Sequence, residues 1–184
     1  MVWEQVARDY LGLGAEIIRE HASAPKQRAE KDASLGEGEL PALNLAHLKT
    51  LTDDCGMLQH AVFTIPNRHH GYCTDDNARA LIAACMGYQL TRDESLTVYI
   101  RRYLSFLHHA FNDSTGRFRN FMDYNRSWQE ETGSEDSHGR ALWGLGLAIK
   151  HAPSTAMRDM GACLFTRALA ACEGLRPPRS LAFS

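Results

Sequence analysis

Two short runs carry the residue types that could do chemistry. Thr74-Asp75-Asp76 and Ser134-Glu135-Asp136 each set a hydroxyl residue ahead of two acids. Each then leads into Arg-Ala-Leu, at Arg79-Ala80-Leu81 and Arg140-Ala141-Leu142. Thr74 and Ser134 are good helix N-caps, because their oxygens accept from the free N–H groups of a first turn. Acids in that turn are favoured by the helix dipole. The runs therefore predict two helix starts, each with a pair of carboxylates. If both starts face one cleft, they form an acidic site. The competing reading is structural: Asp76 lies three residues before Arg79 and Asp136 four before Arg140, so each pair could close on its own helix.

The elements that would position these acids are mostly helical. Apolar spacing predicts helices at about 2–21, 43–51, 75–91, 94–112, 135–151 and 154–173, with a second short one at 53–60. Val2, Trp3, Val6, Tyr10, Leu11, Leu13, Ile17 and Ile18 give the first of these a broad apolar face. Residues 22–40 read as a linker, and Pro66 and Gly71 mark 61–73 as an extended loop. Gly116–Tyr124 reads as a small β-hairpin or extended excursion, and Pro177-Pro178 end the pattern. Asp76 and Asp136 are 60 residues apart and Arg79 and Arg140 are 61 apart, a period that fits a helical hairpin with its connection. The helices opening Ala80-Leu-Ile-Ala-Ala84 and Ala141-Leu-Trp-Gly-Leu145 are apolar nearly all round, as enclosed helices must be. The fold expected is all-α, a partial α/α toroid of helical hairpins with a small β-hairpin excursion. Its domains are an amphipathic helix at 1–21, a linker at 22–40 and the helical domain at 41–184.

Composition narrows the function classes. With 184 residues the chain suits one core-forming domain. Twenty basic and 22 acidic residues nearly balance, so neither nucleic acid nor an anionic membrane is expected as partner. No apolar run is long enough to span a bilayer, and Met1–Gln5 does not begin a signal peptide. Five scattered cysteines without a Cys-x-x-Cys pair favour reduced thiols and a cytoplasmic protein. No phosphate-loop glycine pattern is present, and no cofactor is expected.

Three stretches together carry a family resemblance: Pro66-Asn-Arg-His-His-Gly-Tyr-Cys-Thr-Asp-Asp-Asn-Ala-Arg-Ala-Leu-Ile82, Gly116-Arg-Phe-Arg-Asn-Phe-Met122 and Gly133-Ser-Glu-Asp-Ser-His-Gly-Arg-Ala-Leu-Trp143. They resemble an α/α-toroid domain of bacterial carbohydrate-active proteins, related to the six-hairpin glycosidases and often joined C-terminally to a GT-B glycosyltransferase. Val2–Leu11 is similar to the last helix of such a glycosyltransferase. A complete domain of that kind has six hairpins and this chain shows about two, so the resemblance implies a piece of it. It also implies carbohydrate chemistry on an oligosaccharide or other glycan.

Glycoside hydrolysis needs one carboxyl group to protonate the leaving oxygen and a second as nucleophile or base. Asp76 and Asp136, aligned in the repeat, are the candidate pair, with Asp75 and Glu135 beside them. His70 or His138 would serve as acid/base or as a sugar hydrogen-bond donor. Tyr72, Tyr124 and Trp128 would offer exposed faces for sugar rings, Trp143 would be core, and Arg79, Arg140 and Asn120 would bind substrate. Arg117, Arg119 and Arg126 suit either an anionic sugar or a solvated strand face. His108-His109 would lie on the surface. A metal site from His60, His69, His70, Cys73 and His138 is a further alternative, though the spacing matches no standard ligand motif. A non-catalytic accessory module, with the acids as helix caps, is the opposing reading. Uncovered apolar flanks on a partial toroid predict a homo-oligomer, most simply a dimer.

Overall fold

A computed structural model describes residues 8, 10–16, 18–19 and 42–183. The chain divides into two compact units, Met1–Ala42 and Leu43–Ser184. In the first, the described residues between 8 and 19 are helical, and Tyr10, Leu11, Leu13 and Ile18 are exposed. The linker expected at 22–40 lies outside the described residues.

The second unit is mixed α/β, which corrects the all-α toroid expectation. Its helices are α1 (Ala46–Leu51), α2 (Thr74–Thr91), α3 (Leu96–Ala110), α4 (Glu135–His151), α5 (Thr155–Leu169) and α6 (Pro178–Phe183), with a 3₁₀ turn at Ala170–Gly174. Its strands are β1 (Leu58–Val62), β2 (Ile65–Cys73), β3 (Phe111–Asn112), β4 (Arg117–Phe118) and β5 (Phe121–Met122). β1, β2 and β5 form an antiparallel sheet in that order, and β3 and β4 form a separate hairpin.

The correction has a local cause. Pro66 and Gly71 do exclude a helix, but both fit the long hairpin β1–β2. Pro66 pairs with Ala61 close to the hairpin end, where a missing N–H is tolerated. Phe63 turns the chain with φ 56°. Gly71 has φ +62°, and a Cβ there would lie 2.2 Å from the Met122 carbonyl oxygen. Only glycine lets β2 pass β5 so closely. The helix expected at 53–60 is absent, since Leu58–His60 belong to β1. Pro177-Pro178 do not end the structure either, because α6 starts at Pro178, a favoured first helical position.

The main core lies among α2, α3, α4 and α5. α3 buries Leu96, Ile100, Tyr103, Leu104, Leu107 and Ala110, one stripe at helical spacing. α2 packs on both α3 and α4, and α4 packs in turn on α5 and α6. α2 and α4 run parallel, as two contacts in register show. Asp75 meets Arg140, and Ala78 faces Gly144, where an added Cβ would come within 3.0 Å of the Ala78 carbonyl oxygen. Small residues at this contact bring the two backbones close.

Candidate functional site

The two helix starts are held by one β corner. Thr74, the expected cap of α2, is the helix's first residue. Its N–H donates to the Asn120 carbonyl (2.8 Å) and its hydroxyl to the Arg119 carbonyl (2.5 Å). Cys73 is the cap instead, its Sγ accepting from the Asp76 N–H. The Asn120 side-chain oxygen accepts from the Asp75 N–H at 3.3 Å. At the other start, Ser134 caps as expected, accepting from the Ser137 N–H at 3.1 Å. Gly133, just before it, donates to the Phe118 carbonyl at 2.8 Å, so the β4–β5 segment touches both helix starts. Glu135 accepts from the Arg176 N–H at 2.9 Å. We call this shared end of α2 and α4 the helix mouth.

The charge pairing differs from the expected intrahelical pattern. Asp75, not Asp76, binds Arg79 on its own helix, and it also accepts from Arg140 Nε on α4 at 3.0 Å. Asp136 pairs with Arg179 on α6 at 3.0 Å. An acid of one helix thus reaches an arginine of a helix packed against it, from α2 to α4 and from α4 to α6. Arg140, only 9% exposed, has its guanidinium 4.0 Å from the centre of the Phe183 ring. Trp143 stacks on Phe183 at 5.7 Å and, at 42% exposed, is not the core residue expected. Asp76 is half-buried and accepts from the Cys73 thiol at 3.0 Å. Burial, then the nearby Asp76 charge, holds that thiol far above its ordinary range.

Other expected site residues are placed elsewhere. Tyr72 is buried, correcting its reading as an exposed sugar platform. Its hydroxyl donates to Asp53 at 2.6 Å, and burial, then that bond, keeps it protonated well beyond the usual phenol range. Tyr124 is exposed, stacked over Tyr72 and bonded by Arg68 Nε at 3.0 Å. Asn120 is buried and occupied as a helix cap rather than open to substrate. Trp128 is half-buried and donates to His109 Nε2 at 3.2 Å. His70 stands exposed on β2 with its ring against His60. His138 is fully buried, which removes it from an open site. It bonds the Ala168 carbonyl through Nε2 (3.1 Å), and burial, then Arg117, pushes its pKa down to about 4. Arg117, Arg119 and Arg126 are tied to the Gly133 carbonyl, Glu131 and Asp54.

Asp53, Trp143, Arg179 and Phe183 were not foreseen in these roles. The one available signal was Thr52-Asp53-Asp54, which repeats Thr74-Asp75-Asp76. Among the described residues, no three His, Cys, Asp or Glu side chains gather as a metal ion would require. No helix among them is long and apolar enough to cross a membrane. Comparison with protein-family models and with curated proteins finds no match for this chain.

Proposed function

We propose that this chain is a carbohydrate-active domain that engages an oligosaccharide at the helix mouth. In this reading Asp76 and Asp136 are the carboxylate pair of a glycosidase-like reaction, one as proton donor and one as nucleophile or base. Asp75 positions rather than reacts, because two arginines hold it and one of them, Arg140, is buried, whereas Asp136 meets only the exposed Arg179. Trp143, exposed beside Arg140, supplies the apolar face for a sugar ring. The observation that supports the reading most is the Asp75–Arg140 bond, which ties the acid-bearing starts of two helices together.

A second reading has its own support. Asp75 and Asp136 are engaged by arginines and Asp76 by a thiol, as expected of a non-catalytic accessory module of a glycosyltransferase. A product assay on neutral mannan- and glucan-type oligosaccharides separates the two. Hydrolysis predicts turnover by wild type, lost at least about 100-fold in an Asp76→Asn/Asp136→Asn variant that still folds. No turnover by folded wild type discards hydrolysis and leaves the accessory module. An added chelator should change nothing; loss of turnover with chelator would revive a metal-dependent reaction.

The cytoplasm is the proposed compartment, since all five cysteines are free and Cys73 and Cys85 are buried thiols. A homodimer is proposed as well, with Val62, Phe63 and Ile65 exposed at the β1–β2 hairpin end. A monomer by light scattering, at concentrations where the protein is folded, would contradict it.

A further inference from the structure

A second concave region lies away from the helix mouth. A depression of about 570 Å³ is lined by residues of α3, the 54–55 segment, Arg126 and Arg167. A neighbouring one of about 330 Å³ shares Ser105 and His108 with it. The two lie side by side on the exposed side of α3, and together we call them the furrow. Each depression falls within the roughly 300–1,000 Å³ usual for small-molecule sites, the larger one well inside it.

We propose that this furrow is a second saccharide-binding site, taking a neutral oligosaccharide that runs along α3. The ligand class follows the carbohydrate reading above, and the furrow's own chemistry fits it. Two ion pairs line the larger depression, Asp54–Arg126 at 2.7 Å and Asp113–Arg167. Their charges cancel, so the site favours neither a strong anion nor a strong cation. An arginine beside a carboxylate suits adjacent sugar hydroxyls, which accept from the first and donate to the second. Both pairs are solvent-exposed, so their mutual attraction is weak and a ligand can share them at small cost. Phe106, Phe111 and Met122 form a buried floor beneath, so the ligand is held by the polar rim above them. The shared middle of the furrow adds the exposed Ser105 and His108, polar groups on the path of a chain longer than one ring. His109 completes the wall. Its Nε2 accepts from the Trp128 indole at 3.2 Å.

The three tryptophans make the test specific, because Trp128 reports on the furrow and Trp143 on the helix mouth. Indole-¹⁵N-labelled protein is titrated with maltohexaose, cellohexaose and mannohexaose, and with a glucuronate oligomer and inorganic phosphate as charged probes. A neutral hexaose should shift the Trp128 indole signal. Its apparent Kd should weaken at least tenfold in both Arg126→Ala and Arg167→Ala, whose exposed side chains can be removed without unfolding the chain. The Trp128 shift should persist in Asp76→Asn/Asp136→Asn. Failure of the helix-mouth reading shows as an unmoved Trp143 signal and leaves this inference standing. No Trp128 shift with any neutral hexaose, a shift undiminished in both arginine variants, or tighter binding of phosphate or glucuronate would each overturn it.

Discussion

The helix mouth and the α3 furrow both hold arginines, carboxylates and aromatic rings, yet they hold them in opposite ways. At the mouth, Arg140 is buried, stacked on Phe183 and bonded to a carboxylate from another helix. In the furrow, Arg126 and Asp54 are 55% and 72% exposed and meet at the surface. A buried charge that loses its partner is costly, whereas an exposed pair contributes little. The Asp75–Arg140 link of the mouth is therefore built to stay in one geometry, and the furrow pairs to exchange partners. Preorganised groups suit chemistry or a fixed register; exchangeable ones suit reversible binding. The contrast also separates what a motif signals from what a surface offers: the repeated acidic motif marks the rigid region.

The sharpest way to break this contrast is at Gly71, where β2 passes β5 just ahead of the mouth. A Gly71→Ala chain must place Cβ against the Met122 carbonyl at positive φ. It should lose about 3 kcal/mol or more. Urea denaturation measures this, and a loss below about 1 kcal/mol would mean that the sheet yields easily and the mouth is not rigid.

Next in size is the pH response of the buried end of α4. His138 has a folded pKa of about 4 against an ordinary 6.5, so the folded state binds fewer protons between those values. Its contribution is complete above pH 6.5 and is lost as pH falls toward and through 4. The expected loss is about 2–3 kcal/mol. Comparing urea midpoints of wild type and His138→Gln across that range isolates the effect, since other groups titrate alike in both. Parallel curves would show that His138 titrates normally.

Removing the link between the helices is expected to cost less. Asp75→Asn leaves Arg140 without its carboxylate, and the cost lies between a buried and an exposed pair, about 2 kcal/mol. Thermal unfolding reads it, and an unchanged transition would put the mouth and the furrow in the same class. The smallest effect belongs to the furrow. Arg126→Ala should leave the melting temperature unchanged within error, although Arg126 holds the Asp54 carboxyl below its usual range. A clear drop would show that the furrow is as tightly built as the mouth.

Much of the helical part was legible in the sequence. Helical apolar spacing located α2, α3, α4 and α5 to within a few residues, since a buried stripe leaves a strong periodic trace. Ser134 was legible as a cap for a similar reason: the interaction is local. The sheet was not. β2 is exposed or half-buried ahead of Gly71 and β1 is buried only at Leu58, so no buried alternation announces them, and their Pro and Gly read as breaks. The long-range partners were hidden too. Nothing in local spacing says that Asp75 prefers Arg140, 65 residues on, or that Cys73 takes the cap from Thr74. Tyr72 and Trp143 exchanged their expected environments because aromatic residues serve both core and surface, and the choice depends on neighbours such as Asp53 and Phe183.

The central claim is that the helix mouth binds saccharide through its carboxylates. Calorimetric titration of wild type and Asp76→Asn with neutral mannan- and glucan-type oligosaccharides tests it most directly. The account predicts a saturable heat with at least one of them, reduced tenfold or more in affinity by Asp76→Asn while the variant melts like wild type. Equal affinity in both proteins, or no heat with any oligosaccharide, would contradict it.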